Sequence, residues 1–161
     1  MGFMLLLMRV IHIVLGVFWA GTMIFNALFL FPAIRDAGPD GAKVAAGLMR
    51  RRFLDVMPVV ALLTIMSGLW LYWLDSGGFQ PAFMRSSMGR MLGLGTVATL
   101  VAFALGVAIV RPAMLSAAAL SQDPTQLAAA QALRMRAAGY GRVIAVLLAV
   151  AAAAMAMARY I

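Results

Sequence analysis

Apolar residues run along the chain in four long stretches separated by short polar clusters. Positions 10–34, between Arg9 and Arg35, hold no ionisable side chain except His12. Positions 56–74, 91–110 and 143–158 hold no charged side chain, and are bounded by Asp55 and Asp75, Arg90 and Arg111, and Arg142 and Arg159. A helix crosses about 30 Å of hydrocarbon with roughly 20 apolar residues. Three runs meet that length, and the fourth reaches it if its flanking arginines snorkel to the interface. Hydrocarbon offers no partner to backbone N–H and C=O groups, so each span has to be helical. The ten-residue alternation of a membrane β-barrel is absent. The pattern predicts an all-α polytopic membrane protein in one domain. It is a bundle of four transmembrane helices, spanning about 6–31, 54–74, 90–111 and 140–159. The first run exceeds the 7–15 residues typical of a signal-peptide core, so it is expected to stay as a span.

Polar and small residues punctuate the connections. Pro32 and Asp36-Ala37-Gly38-Pro39-Asp40-Gly41 are expected to end the first helix, with a short helix over Ala42–Met49 leading into the second. Gly77 and Gly78 suit the left-handed end of the second helix, Ser86 or Ser87 an N-cap of the third. Asp123-Pro124 reads as N-cap and first residue of the fourth. The third helix is expected to run past Pro112 toward Leu120, and Leu127–Arg136 to be helical. Together they predict a cytoplasmic helical hairpin over about 112–139. No internal repeat is evident.

Composition agrees with this class: 65% of residues are hydrophobic and 11% charged, against about 25% charged in soluble domains. The formal charge of +8 could suggest a nucleic-acid partner, but its placement removes that reading. Arg35, Lys43, Arg50, Arg51, Arg52, Arg111, Arg134, Arg136 and Arg142 fall in the first and third connections. Only Arg9, Arg85, Arg90 and Arg159 lie on the other side. Basic residues favour the cytoplasmic side of a membrane, so both termini are expected outside, in a multi-pass protein of a bacterial inner membrane. Arg50-Arg51-Arg52 sets topology and touches anionic lipid. Trp70, Tyr72 and Trp73 form an aromatic belt at the outer interface.

Candidate chemistry is sparse. No Cys and one His leave no thiolate site and no catalytic triad. His12 stands out because ionisable residues inside membranes are costly and point to function. Met4, Met8, His12, Gly16, Trp19, Met23 and Asn26 share one stripe of the first helix, expected to face the bundle interior. Three readings of His12 stay open at this level. It can ligate haem iron, with Gly16 and Trp19 shaping the site; it can join Met4 and Met8 in a soft copper site; or it can bond a neighbouring helix. Met84, Met88 and Met91 repeat the methionine spacing at the start of the third helix. Asn26 is expected to make an interhelical hydrogen bond, and Asp55 to pair with Arg52. Small residues at four-residue spacing, Gly16/Ala20, Gly89/Gly93, Ala102/Gly106 and Ala145/Ala149/Ala153, are expected to let helices approach.

Arg9-Val10-Ile11-His12, Trp19-Ala20-Gly21 and Pro32 resemble the first helix of a loose group of small bacterial membrane proteins. The group includes the copper-resistance protein D type and the HemJ-type protoporphyrinogen oxidases. Met155-Ala156-Met157-Ala158-Arg159-Tyr160 resembles the ending of its four-helix members. The resemblance implies a haem b-associated role for His12. The HemJ type also opens its third helix with a functional Lys, where this chain has Arg90. With no catalytic constellation, the sequence favours a non-catalytic accessory subunit of a larger energy-converting membrane complex, packed against other membrane subunits or its own copies. A haem-binding redox or porphyrin-handling protein and a copper-handling protein are the alternatives.

Overall fold

Four long helices carry the four apolar runs, and each is long and apolar enough to cross a membrane. The computed structural model describes residues 2–161, among which there is no strand. Helix α1 (Gly2–Phe25) continues through a π-helical turn, Asn26–Leu30, into α2 (Phe31–Asp36). Helix α3 (Gly38–Arg50) then turns back and leads to α4 (Phe53–Asp75). After the short α5 (Pro81–Arg85), α6 (Ser87–Leu105) continues through a second π turn, Gly106–Val110, into α7 (Arg111–Leu120). A 3-10 turn at Pro124–Gln126 opens α8 (Leu127–Met157).

Pro32 does not end the first helix as the sequence suggested. A proline has no N–H and its ring collides with the carbonyl four residues back. Here each π turn adds a residue just ahead of the proline. Phe31 N–H bonds the Asn26 carbonyl five residues back, and Arg111 N–H bonds that of Gly106. Pro32 and Pro112 each follow one residue later, and both helices run on past them. The break comes instead at Ala37–Gly38, where Gly38 takes φ +54°. Gly41 then lets α3 fold tightly against α2, since a Cβ there would collide with the Ile34 carbonyl.

Other expected punctuation is present. Gly77 and Gly78 are left-handed, at φ +61° and +84°. Ser86 caps α6 by accepting from Gly89 N–H. Asp123 caps the 3-10 turn that opens α8, while Gln126, at the start of α8 itself, makes no side-chain cap. Asp123 accepts first from the Thr125 hydroxyl and then from the Thr125 N–H, and these bonds hold its carboxyl below the ordinary range. Because the folded value lies below the unfolded one, this cap is intact at neutral pH and fades only as acid protonates the carboxyl.

The helices associate as two pairs. α6 and α7 pack along α8, α1 packs on α4, and α1–α8 and α4–α6 contacts join the pairs. The core is Trp19, Met57, Ala61, Ile65, Ala102, Ile144 and Leu148. Outward faces are apolar, with residues such as Val14, Val17, Leu28, Val97 and Val146 exposed. On α8 the buried seam is Ala130, Ala137, Ile144, Ala151 and Ala158, at seven-residue spacing, flanked by Gly141, Ala145, Leu148 and Ala154. Ala98, Ala102, Ala113 and Ala117 face it from the third long helix. The expected Ala145/Ala149/Ala153 stripe is thus corrected: Ala149 and Ala153 are exposed. Steps of four residues turn 400° and drift 40° per step, while seven residues turn 700° and stay within 20° of one face.

Two further expectations change. Asp55 pairs with Arg111 at 2.8 Å, not with Arg52. Pro58, lacking an N–H, leaves the Leu54 carbonyl without its usual helical donor, and Arg111 Nε donates to that oxygen at 3.2 Å. One guanidinium therefore serves a helix defect and a carboxylate, tying α7 to the start of α4. Asn26 is buried, but its amide nitrogen finds no partner.

Candidate functional site

The site begins with four-residue spacing on α4. Thr64, Gly68 and Tyr72 succeed one another on one face, and Asp75 closes the helix beside them. His12 lies against this face. Its Nδ1 is 2.8 Å from the Thr64 carbonyl. A carbonyl only accepts, so Nδ1 is the donor, and in the neutral ring Nε2 keeps its lone pair. Gly68 gives the imidazole its place: a Cβ there would stand 2.5 Å from His12 Cε1. Gly68 is thus a cradle that any larger residue would fill.

A cavity of about 550 Å³ opens beside His12 at the end of the bundle that carries both termini. All four long helices contribute. Arg9 and Ile13 line it from α1, Ile65 and Leu69 from α4, Met88 and Thr96 from α6, and Met155 from α8. Arg159 lies beyond α8 on the same wall. The Thr64, Thr96 and Thr99 hydroxyls donate to carbonyls of their own helices. They therefore turn only acceptor capacity toward the space. Arg9 stands 4.0 Å from Asp75, with both side chains substantially solvent-accessible.

Tyr72 fixes the far wall. Its hydroxyl donates to the Gly89 carbonyl at 2.9 Å, with Met84 Sδ 3.3 Å away. Phe79 packs edge-on against its ring at 5.5 Å. Gly89 is needed at this corner because a Cβ would collide with the Phe83 carbonyl. The α4–α6 connection is thereby pinned over the cavity rim.

The structure sorts the residues singled out in the sequence. His12 lines the cavity. Gly16 faces Thr64, whose methyl would lie 3.4 Å from a Cβ placed there. Trp19 belongs to the core. Met4 is half-exposed and, like Met8, lies outside the lining, whereas Met88 and Met155 share it with His12. Arg50, Arg51 and Arg52 lie at the opposite end, where α3 ends and α4 begins. Thr64, Gly68, Tyr72, Asp75 and Arg159 were missed as site residues. The Thr64–Gly68–Tyr72 spacing, a polar and small stripe in an apolar span, was the signal available.

No family model, curated protein or solved structure matches this chain.

The cavity offers a largely apolar ligand one imidazole nitrogen and, at its mouth, the Arg9 and Arg159 cations with the Asp75 carboxylate beside Arg9. An imidazole nitrogen is free, and the walls are mostly aliphatic, with the Thr64, Thr96 and Thr99 side chains and the Tyr72 and Phe83 rings among them. Two arginines stand where the cavity meets the surface. The volume falls within the 300–1,000 Å³ usual for ligand sites. A metal-bound imidazole commonly donates its other nitrogen to a carbonyl, which fixes the ring as Thr64 does here.

Proposed function

We propose that this chain is a multi-pass membrane protein that holds haem b, or a closely related tetrapyrrole, through His12. The single observation that carries the reading is the His12 Nδ1 to Thr64 carbonyl bond, which leaves Nε2 available beside the cavity. Arg9 and Arg159 would meet the acidic edge of the ligand, and the aliphatic wall would exclude water from its body. Bound haem supplies one-electron redox chemistry; the chain's own residues bind, orient and shield it. The cationic connections support an orientation with both termini outside a bacterial inner membrane.

An absorption spectrum tests the reading. Protein purified from haem-replete membranes should show a Soret band that His12→Ala abolishes. Gly68→Leu should abolish it too, because the side chain takes the space of the imidazole. No band in the unaltered protein, even after haemin is added, removes the proposal.

A second reading, the accessory subunit of a larger energy-converting complex or a homo-oligomer, is favoured by the outward face of α8. There Ala149 and Ala153 offer a small-residue surface that this chain does not use. Native mass spectrometry from mild detergent decides it: a chain that runs alone speaks against the subunit role.

A further inference from the structure

At the opposite end of the bundle from His12, α3 departs from the four-helix plan. It folds back on α2 at Gly38 and Gly41 and has only slight contact with α4. Lys43 and Arg50 stand seven residues apart on one stripe, while Gly41, Ala45 and Leu48 turn the other way. A basic, amphipathic helix of this kind lies in the plane of a membrane surface. Between α2 and α3 runs an apolar groove of about 300 Å³, lined by Leu30, Ala33, Ile34, Ala37 and Val44, with Asp40 at its edge.

The charges here are unevenly matched. Arg35 pairs with Asp36 and Lys43 with Asp40. Arg50, Arg51 and Arg52 have no carboxylate partner among the described residues. They form the corner itself: Arg50 ends α3, Arg51 is its C-cap, and Arg52 takes a left-handed φ of 56°. Three adjacent like charges repel one another unless an anion sits among them.

We infer that the α2–α3 groove and the Arg50–Arg52 corner form a binding surface for an anionic glycerophospholipid. The groove takes an acyl chain and the arginines take the phosphate-bearing headgroup. Arg50 follows the groove residue Val44 by six residues on α3, about 9 Å along the helix, so one lipid can span the groove and the cationic corner. A nucleic acid would meet the cations and leave the groove bare. The inference rests on the membrane-spanning reading and is independent of His12, so loss of the haem spectrum leaves it untouched.

The test uses the purified full chain in dodecyl maltoside, with phosphatidylglycerol or phosphatidylcholine added as mixed micelles. Thermal midpoint and native mass spectrometry are the readouts. Phosphatidylglycerol should raise the midpoint and be retained, and phosphatidylcholine should not. R50Q/R51Q/R52Q should weaken retention by about a hundredfold. Val44→Trp should weaken it with the charge unchanged. R134Q/R136Q/R142Q, an equal loss of charge elsewhere, should leave it near the unaltered protein. If the triple corner variant does not fold, R51Q alone should still weaken retention measurably. Equal retention of both lipids overturns the proposal. So does equal loss in the R134Q/R136Q/R142Q protein, or an equal midpoint shift with inorganic phosphate, which would mark a free-anion site.

Discussion

Asn26 shows how one residue can be placed correctly and still not do what its chemistry suggests. Its position on the inward stripe of the first helix was readable, and it is buried. Its expected interhelical bond is absent, because the amide sits where the π turn begins and its nitrogen meets no acceptor. An unpaired buried donor costs about 1–3 kcal/mol, and replacing it by an apolar group of similar shape can be neutral or stabilising. Asn26→Leu should therefore raise stability by about 1 kcal/mol, read as a higher thermal midpoint in detergent. A lower midpoint would mean that the amide has a partner in the membrane. His12 is the counter-case. Its inward direction followed from the sequence. Its tautomer did not, since that depends on a carbonyl 52 residues away.

At the scale of elements, helix existence was legible and helix contacts were only half so. Four apolar runs specify four helices whatever their neighbours. Which face of α8 is buried depends on the path of the helix beside it, and there the four-residue rule misled. Ala102 is fully buried against α8, while Ala149 looks outward. Ala102→Leu should force the helices apart and cost about 1–3 kcal/mol. Ala149→Leu should be close to neutral in a monomer. If Ala149→Leu proves the more damaging, the outward face of α8 is an interface. The Arg111–Leu54 bond was within reach of sequence reasoning through Pro58, whose missing N–H marks a carbonyl in need. That the donor comes from α7 could not be read, because nothing local brings positions 54 and 111 together.

For the whole molecule, the distribution of cations predicts sidedness, and the absence of cysteine makes that prediction clean to test. Single-cysteine variants Lys43→Cys and Phe79→Cys place one thiol at each end of the bundle. In intact cells, a membrane-impermeant maleimide should label Phe79→Cys and spare Lys43→Cys. The reverse labelling would invert the proposed orientation. The two ends also divide the chemistry: the His12 cavity opens at the end with the termini, and the unmatched arginines lie at the other. That division was visible in the sequence as alternating charge. The cavity was not, because its wall is assembled from four helices and no single one announces it.

The paired π turns carry a consequence for how this chain can change over time. Each adds one residue to a helix that a proline would otherwise disrupt, at Asn26–Leu30 before Pro32 and at Gly106–Val110 before Pro112. Deleting the extra residue alone returns the proline ring to a clash. Replacing the proline alone leaves a bulge with nothing to accommodate. A lineage can shed either device only by a deletion and a substitution together. Helix length at these two places is thereby coupled to proline content.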